Sequence, residues 1–277
     1  MTTADSQAPT YALLTFEECG AGIGAAATVL RANATSSGLQ APVPTCPGWT
    51  VTDLVAHQGM VHRWCADTLR GERHDAAEHL AEGLASTDLL QWFDDGATAL
   101  LDVMSKTPDT WEGFFFLDTA PHPRDGWARR QCHETTIHAV DAMSARLGRP
   151  PRAEEVWFSS ELATDGIDEL VVGFGSRSRS PLRSREPVEL EIRTTDTGAV
   201  WTVHVHAEDP PRVERRVARA PDARWSGRAR DLYLGVWNRI EPSEPDRPDD
   251  RIQTEVVTPA GAGTRELWRE LMQVRWS

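Results

Sequence analysis

The chain has 277 residues, 40% hydrophobic and 26% charged, with 29 Lys+Arg against 42 Asp+Glu and a formal charge of −13. That length suits two domains of ordinary size, and the acidic balance argues against a nucleic-acid backbone or an anionic membrane as partner. No apolar run approaches a membrane span, and the start of the chain lacks the basic and apolar regions of a secretion signal, so a cytoplasmic protein is expected.

From Thr15 to about Thr35 the Ala-rich, helically spaced sequence predicts a first helix. Ala41 to Gly48 is a Pro-broken loop leading into TCPGWTVTDLVAHQGMVHRWC, where Thr50 and Asp53 read as a capped helix start. On that second helix Leu54, His57, Val61, Trp64 and Cys65 share a face, so His57 points inward. Such a histidine can be a core residue bonded to a carbonyl or, facing other donors, a metal ligand. Residues 72 to 86 read as polar and irregular. Ser86-Thr87-Asp88 then caps a third helix carrying Leu89, Leu90, Trp92, Phe93, Ala97, Leu100, Leu101 and Met104. The loop from Pro108 to Gly126 contains Trp111 and Phe114-Phe115-Phe116, too apolar for solvent, and is expected to pack over the helices or line a pocket mouth.

The fourth helix is the most informative stretch, WARRQCHETTIHAVD from Trp127 to Asp141. Trp127, Arg130, Glu134, His138 and Asp141 recur at spacings of three or four and share one stripe. That stripe is polar where a core stripe is apolar, and burying a carboxylate with an imidazole is costly unless something pairs with both. Glu134 and His138, one turn apart, can share a metal with a third ligand from elsewhere, His57 being the candidate. A surface Glu/His pair beside an Arg/Asp pair is the alternative.

Gly148-Arg149-Pro150-Pro151 breaks the helix, which places the border between a domain of residues 1–150 and one of residues 151–277. A helix from about Glu154 to Val172 and a mobile Gly/Ser/Arg loop from Gly173 to Pro187 are expected next. The period then changes to two: Val188, Leu190 and Ile192, a turn at Asp196-Thr197-Gly198, then Trp201, Val203 and Val205, a β-hairpin. His204 and His206 share its other face at a metal-like spacing, which without a carboxylate or Cys facing them does not make a metal site. Ala223 to Ser226 and Ile252 to Val257 read as strands, Arg228 to Ile240 as a helix, and Thr264 as the cap of a last helix using Leu267, Leu271 and Val274. The second half is therefore expected to be α+β. The four cysteines, Cys19, Cys46, Cys65 and Cys132, have no paired spacing and read as reduced, with no strong nucleophile among them.

GWTVTDLVAH, followed by WARR and HETTIHAVDA, resembles the mycothiol-dependent maleylpyruvate isomerase family, whose N-terminal domain is a DinB-like metal-binding four-helix bundle. The resemblance implies a divalent metal, with zinc the leading choice, held by His57, Glu134 and His138, and mycothiol as the thiol cosubstrate. The helix SGRARDLYLGVWNRI is similar to a family helix ending in Gly-Arg, whose Arg contributes to the active site; that position is Arg239, preceded here by Asn238. An equal reading of Arg239 is a residue that ends its helix by capping carbonyls. The implied function is thiol activation for attack on a small electrophile, as an S-transferase or a cis/trans isomerase, in a pocket between the two domains with Arg239 as its recognition residue. A different class stays open: a metal-stabilised binding or regulatory protein without turnover, closed by a fourth ligand such as Asp141 or His62.

Overall fold

Reciprocal caps start the first two long helices in the computed structural model, which describes residues 11–73, 75–117, 122–240 and 251–274. Thr15 accepts from the Glu18 amide while the Glu18 carboxylate accepts from the Thr15 amide, opening α1 (Phe16–Ser37). Thr50 and Asp53 repeat the arrangement at α2 (Val51–Arg70), as the sequence predicts. The stretch read as irregular forms a short helix instead, α3 (Ala76–Ala85), whose Asp75 cap accepts from the Ala77 amide. Its His79 lies 2.7 Å from Asp67 of α2, a tie between distant residues that local composition does not show. α4 (Leu89–Lys106) starts at Asp88, and α5 (Pro123–Leu147) begins with Pro at its first position, four residues before Trp127.

These helices build a bundle of four long members plus α3. Trp92 of α4 lies where a Cβ on Gly59 would come within 2.2 Å of its ring, so glycine lets α2 approach that indole closely. The loop before α5 packs as expected: Trp127 donates its indole N–H to the Phe114 carbonyl at 2.7 Å, and the Phe115 and Phe116 rings meet Trp127 edge-on.

The described residues divide into two compact units. Residues 14–156 with Arg239 and Ile240 form the helical one; residues 11–13, 157–238 and 251–274 form the other. Compared with the sequence division at 150, the bundle unit runs six residues further, to Val156.

The second unit is α+β. Its first helix starts later than predicted, α6 (Ser160–Asp168), with Ser159 as its cap; it then widens into a π-helical turn over Glu169–Phe174. The following Arg/Ser segment is packed and hydrogen-bonded: Leu182 is buried, and Arg183 donates to the carbonyls of Glu208, Ser180 and Leu182. β1 (Val188–Thr194) and β2 (Val200–Val205) form the predicted hairpin, with Ile192 opposite Trp201. β3 (Arg212–Glu214) was not foreseen; three residues are too short for an alternating pattern. β4 (Ala223–Gly227) joins β1 in parallel and β5 (Ile252–Val256) antiparallel, giving the order β3-β2-β1-β4-β5. α7 (Ala229–Val236) ends before Asn238, and α8 (Thr264–Leu271) has Gly263 as its cap, with Trp268 and Met272 rather than Leu267 and Leu271 as its buried contacts. Between those last elements, residues 241–250 lie outside the described set.

Candidate metal centre

Every residue of α5 from Gly126 to Ser144 is buried, including Arg129, Arg130, Gln131, His133, Glu134, His138 and Asp141. A helix this polar and this enclosed must satisfy its charges internally, since an unpaired buried carboxylate costs several kcal/mol or more. The inward stripe does so as a chain of contacts. Arg130 Nη2 donates to Glu134 Oε2 at 2.9 Å, and the other oxygen, Oε1, lies 3.3 Å from His138 Nε2 and 3.5 Å from His57 Nε2. His57 comes from α2, so two helices supply the three donors, whose ligand atoms lie within 4.8 Å of one another. The three residues singled out in the sequence are brought together.

This donor set fits a divalent cation. Donors each about 2.1 Å from a tetrahedral ion stand roughly 3.4 Å apart, which is close to the two separations from Glu134 Oε1. The tautomer fits as well. His138 Nδ1 lies 2.9 Å from Asp141 Oδ2, which leaves Nε2, on the side of Glu134, as the nitrogen that would ligate once its proton is displaced. Burial lowers the His57 pKa and favours its neutral, ligating form. Burial also pulls His138 down, but its hydrogen bonds to Asp141 and Glu134 prevail and push it up to about 9. Glu134 is subject to the opposite contest: burial raises it, while Arg130 and the two imidazoles hold it well below the usual carboxylate range.

Asp141 is the hub beside the triad. Its Oδ1 accepts from Arg239 Nε at 2.7 Å and from Thr45 Oγ1 at 2.5 Å; its Oδ2 accepts from Arg239 Nη2 at 2.9 Å and from the Cys46 thiol at 3.2 Å. Arg239 thus reaches a residue one turn from His138, and it does so from beyond α7 rather than as that helix's last residue. Asn238 adopts φ 59°, the left-handed region in which Gly is at ease and Asn is tolerated, so Asn takes here the conformation expected of a Gly.

The loop between α1 and α2 contributes residues that the sequence did not single out. Val43 and Trp49 pair across it, with the Val43 amide on the Trp49 carbonyl at 3.0 Å, and Val51 bonds back to Ala41. The Trp49 ring lies 5.0 Å from that of His57 and stacks on His138 at 6.1 Å with 19° between planes. Cys46, His138 and Asp141 form a second group of possible ligands. Burial and the adjacent Asp141 carboxylate raise the Cys46 pKa, its thiol donates to Asp141, and Asp141 is held by Arg239, so the members of this group are tied together by hydrogen bonds. Of the two residues named as closing ligands, Asp141 is held as above, and His62 belongs to neither group, its Nε2 lying 2.9 and 3.0 Å from Gln58 and Thr135. On the sheet, His204 does have carboxylates close by, Glu189 at 3.4 Å and Glu214 at 3.2 Å, but Glu214 is shared with Arg212 and Arg216 and the cluster is an ion-pair ladder.

A helical bundle with two imidazoles and a carboxylate converging from facing helices defines a class, the bundles able to bind metal in their core. Residues 21–143 match the family model described as mycothiol maleylpyruvate isomerase N-terminal domain. Among solved structures the chain is similar to a mycothiol-dependent maleylpyruvate isomerase, at 14% identity and TM-score 0.56, covering 87% of this chain and 93% of that one. A histidine-to-alanine mutant of the same description aligns at 14% identity, TM-score 0.58 and the same coverages. At this identity the likeness establishes the fold, which extends over both units. No curated protein matches the chain.

Proposed function

We propose that the protein is a metal-dependent enzyme that activates a small thiol, mycothiol, for addition to an electrophilic small molecule, either as an S-transferase or as a cis/trans isomerase. The observation that carries the reading is the convergence of His57, Glu134 and His138, with Asp141 fixing the His138 tautomer. His57 Nε2, Glu134 Oε1 and His138 Nε2 would hold the ion, with zinc the expected metal. When bound, such an ion lowers the pKa of a coordinated thiol, which is otherwise about 8.5, so that the thiolate is available at neutral pH.

The chain's own residues supply the remainder. Arg130 neutralises the second Glu134 oxygen and holds the carboxylate in orientation. Trp49 covers both imidazoles and limits the rotation of their rings. Arg239, held by both oxygens of Asp141, presents a fixed guanidinium near the triad that does not titrate and is suited to hydroxyl or carboxylate groups on the thiol or the electrophile. The similarity of the fold and of the first domain's family to mycothiol-dependent isomerases supports mycothiol as the thiol. Elemental analysis of dialysed protein tests the centre, and turnover of a panel of electrophiles with and without mycothiol tests the chemistry. Fewer than a tenth of an equivalent of any divalent metal, together with no mycothiol-dependent product, would remove this reading.

A further inference from the structure

Next to the triad, one residue on along each helix, lies a second set of polar side chains that the proposed chemistry does not use. Gln58 follows His57 on α2 and Thr135 follows Glu134 on α5; His62 sits one turn beyond Gln58. All three are completely buried. The Thr135 hydroxyl donates to the Gln131 carbonyl at 2.7 Å within its own helix. Gln58 Nε2 spans the helices, 3.2 Å from Thr135 Oγ1 and 2.9 Å from His62 Nε2, and that ring nitrogen is 3.0 Å from the same hydroxyl.

The set is incompletely satisfied. Burial holds His62 neutral, down to about 3. Neither His62 Nδ1 nor Gln58 Oε1 has a hydrogen-bond partner among the described residues. Buried polar atoms without partners cost stability, whereas apolar side chains of similar volume would fill the same space without that cost. What the trio does provide is direction. A hydrogen bond between helices fixes both sliding and rotation, and one residue of slip along α2 moves a side chain 1.5 Å and turns it about 100°, enough to take His57 away from Glu134.

We propose that Gln58, His62 and Thr135 form a register lock between α2 and α5, positioning residues that hold His57 against Glu134 and His138 at the expense of bundle stability. The inference rests on the metal-binding reading above.

The test replaces the whole trio, Gln58→Met, His62→Leu and Thr135→Val, and takes two readings on dialysed protein. These are the melting temperature after metal removal and the zinc affinity by competition with a chromophoric chelator. A lock predicts a melting temperature equal to or above wild type together with zinc binding weakened by about 10-fold or more. Thr135→Ser, which keeps the hydroxyl, should bind zinc as wild type does, while Thr135→Val alone should bind it more weakly; this pair covers the case in which the triple variant does not fold. Unchanged zinc affinity in the triple variant, or in Thr135→Val, overturns the lock. So does a lowered melting temperature in parallel with lost affinity, which would make the trio ordinary stabilising contacts. Wild-type protein that takes up no zinc overturns the metal reading itself and leaves the lock nothing to position.

Discussion

Asp141 and Arg239 lie 98 positions apart in sequence and meet in a two-point ion pair, Nε on Oδ1 at 2.7 Å and Nη2 on Oδ2 at 2.9 Å. The same Oδ2 takes the Nδ1 proton of His138, so one carboxylate orients both a proposed ligand and a proposed recognition residue. Burial would raise Asp141, but Arg239 and His138 hold it far below the normal range, and it stays an anion at any working pH. Asp141→Asn can keep one of these bonds and not all of them. Metal affinity should fall about 10–100-fold, measured by chelator competition; wild-type affinity would show that His138 needs no help from this position.

Removing a donor is more severe. His57→Ala or Glu134→Ala leaves a two-point site, and each variant should emerge from dialysis with little metal. Elemental analysis per chain decides it, and a full equivalent retained in either variant rules that residue out as a ligand. Glu134→Ala carries a second cost, because it leaves Arg130 buried without its carboxylate; its melting temperature should fall further than that of His57→Ala.

How far the sequence reached follows from what each residue depends on. His57, Glu134 and His138 were legible because helix caps and three- or four-residue spacing fix which way a side chain faces before any tertiary contact forms. Trp49, Thr45 and Cys46 were not, since their placement depends on a loop closed by pairing of Val43 with Trp49 and of Ala41 with Val51. α3 escaped notice because its tie to the bundle, His79 on Asp67, joins separate helices. Composition did not show the contacts of the Arg/Ser segment, the burial of Leu182 and the carbonyls gathered by Arg183, because they depend on residues brought close by the fold.

The histidine titration gives a pH dependence with a definite sign. His138 is pushed up to about 9, above the unfolded value of 6.5. In protein stripped of metal, its proton therefore contributes stability that is fully present below about 6.5 and is lost as pH rises through about 9. Melting temperatures of stripped protein should fall across that window, and His138→Gln should flatten the fall. Zinc affinity should move the opposite way, rising with pH until about 9 as the competing proton leaves Nε2. A zinc affinity independent of pH between 6.5 and 9 would mean that His138 is not the competing site.

Arg239→Ala separates recognition from metal binding. The side chain is not a ligand, so metal content should stay near wild type, while mycothiol-dependent turnover should drop by at least about 10²-fold if the guanidinium orients a reacting partner. Normal rate and normal thiol saturation in this variant would mean that Arg239 only satisfies Asp141.

Asn238 tests whether the backbone that delivers Arg239 is strained. With φ 59° it is the one described non-glycine residue in the left-handed region, and its amide also donates to the Met272 carbonyl at 3.0 Å. Asn238→Gly keeps the conformation without strain but loses that bond. Asn238→Ala loses the bond and must also place a Cβ where the left-handed conformation costs about 1–2 kcal/mol. Chemical denaturation should therefore rank wild type and Asn238→Gly above Asn238→Ala. If the turn positions Arg239, turnover per metal should follow the same order, with Asn238→Gly retaining most of it. An alanine variant as stable and as active as the glycine variant would show that the turn relaxes without consequence and that Arg239 finds Asp141 by its own ion pair.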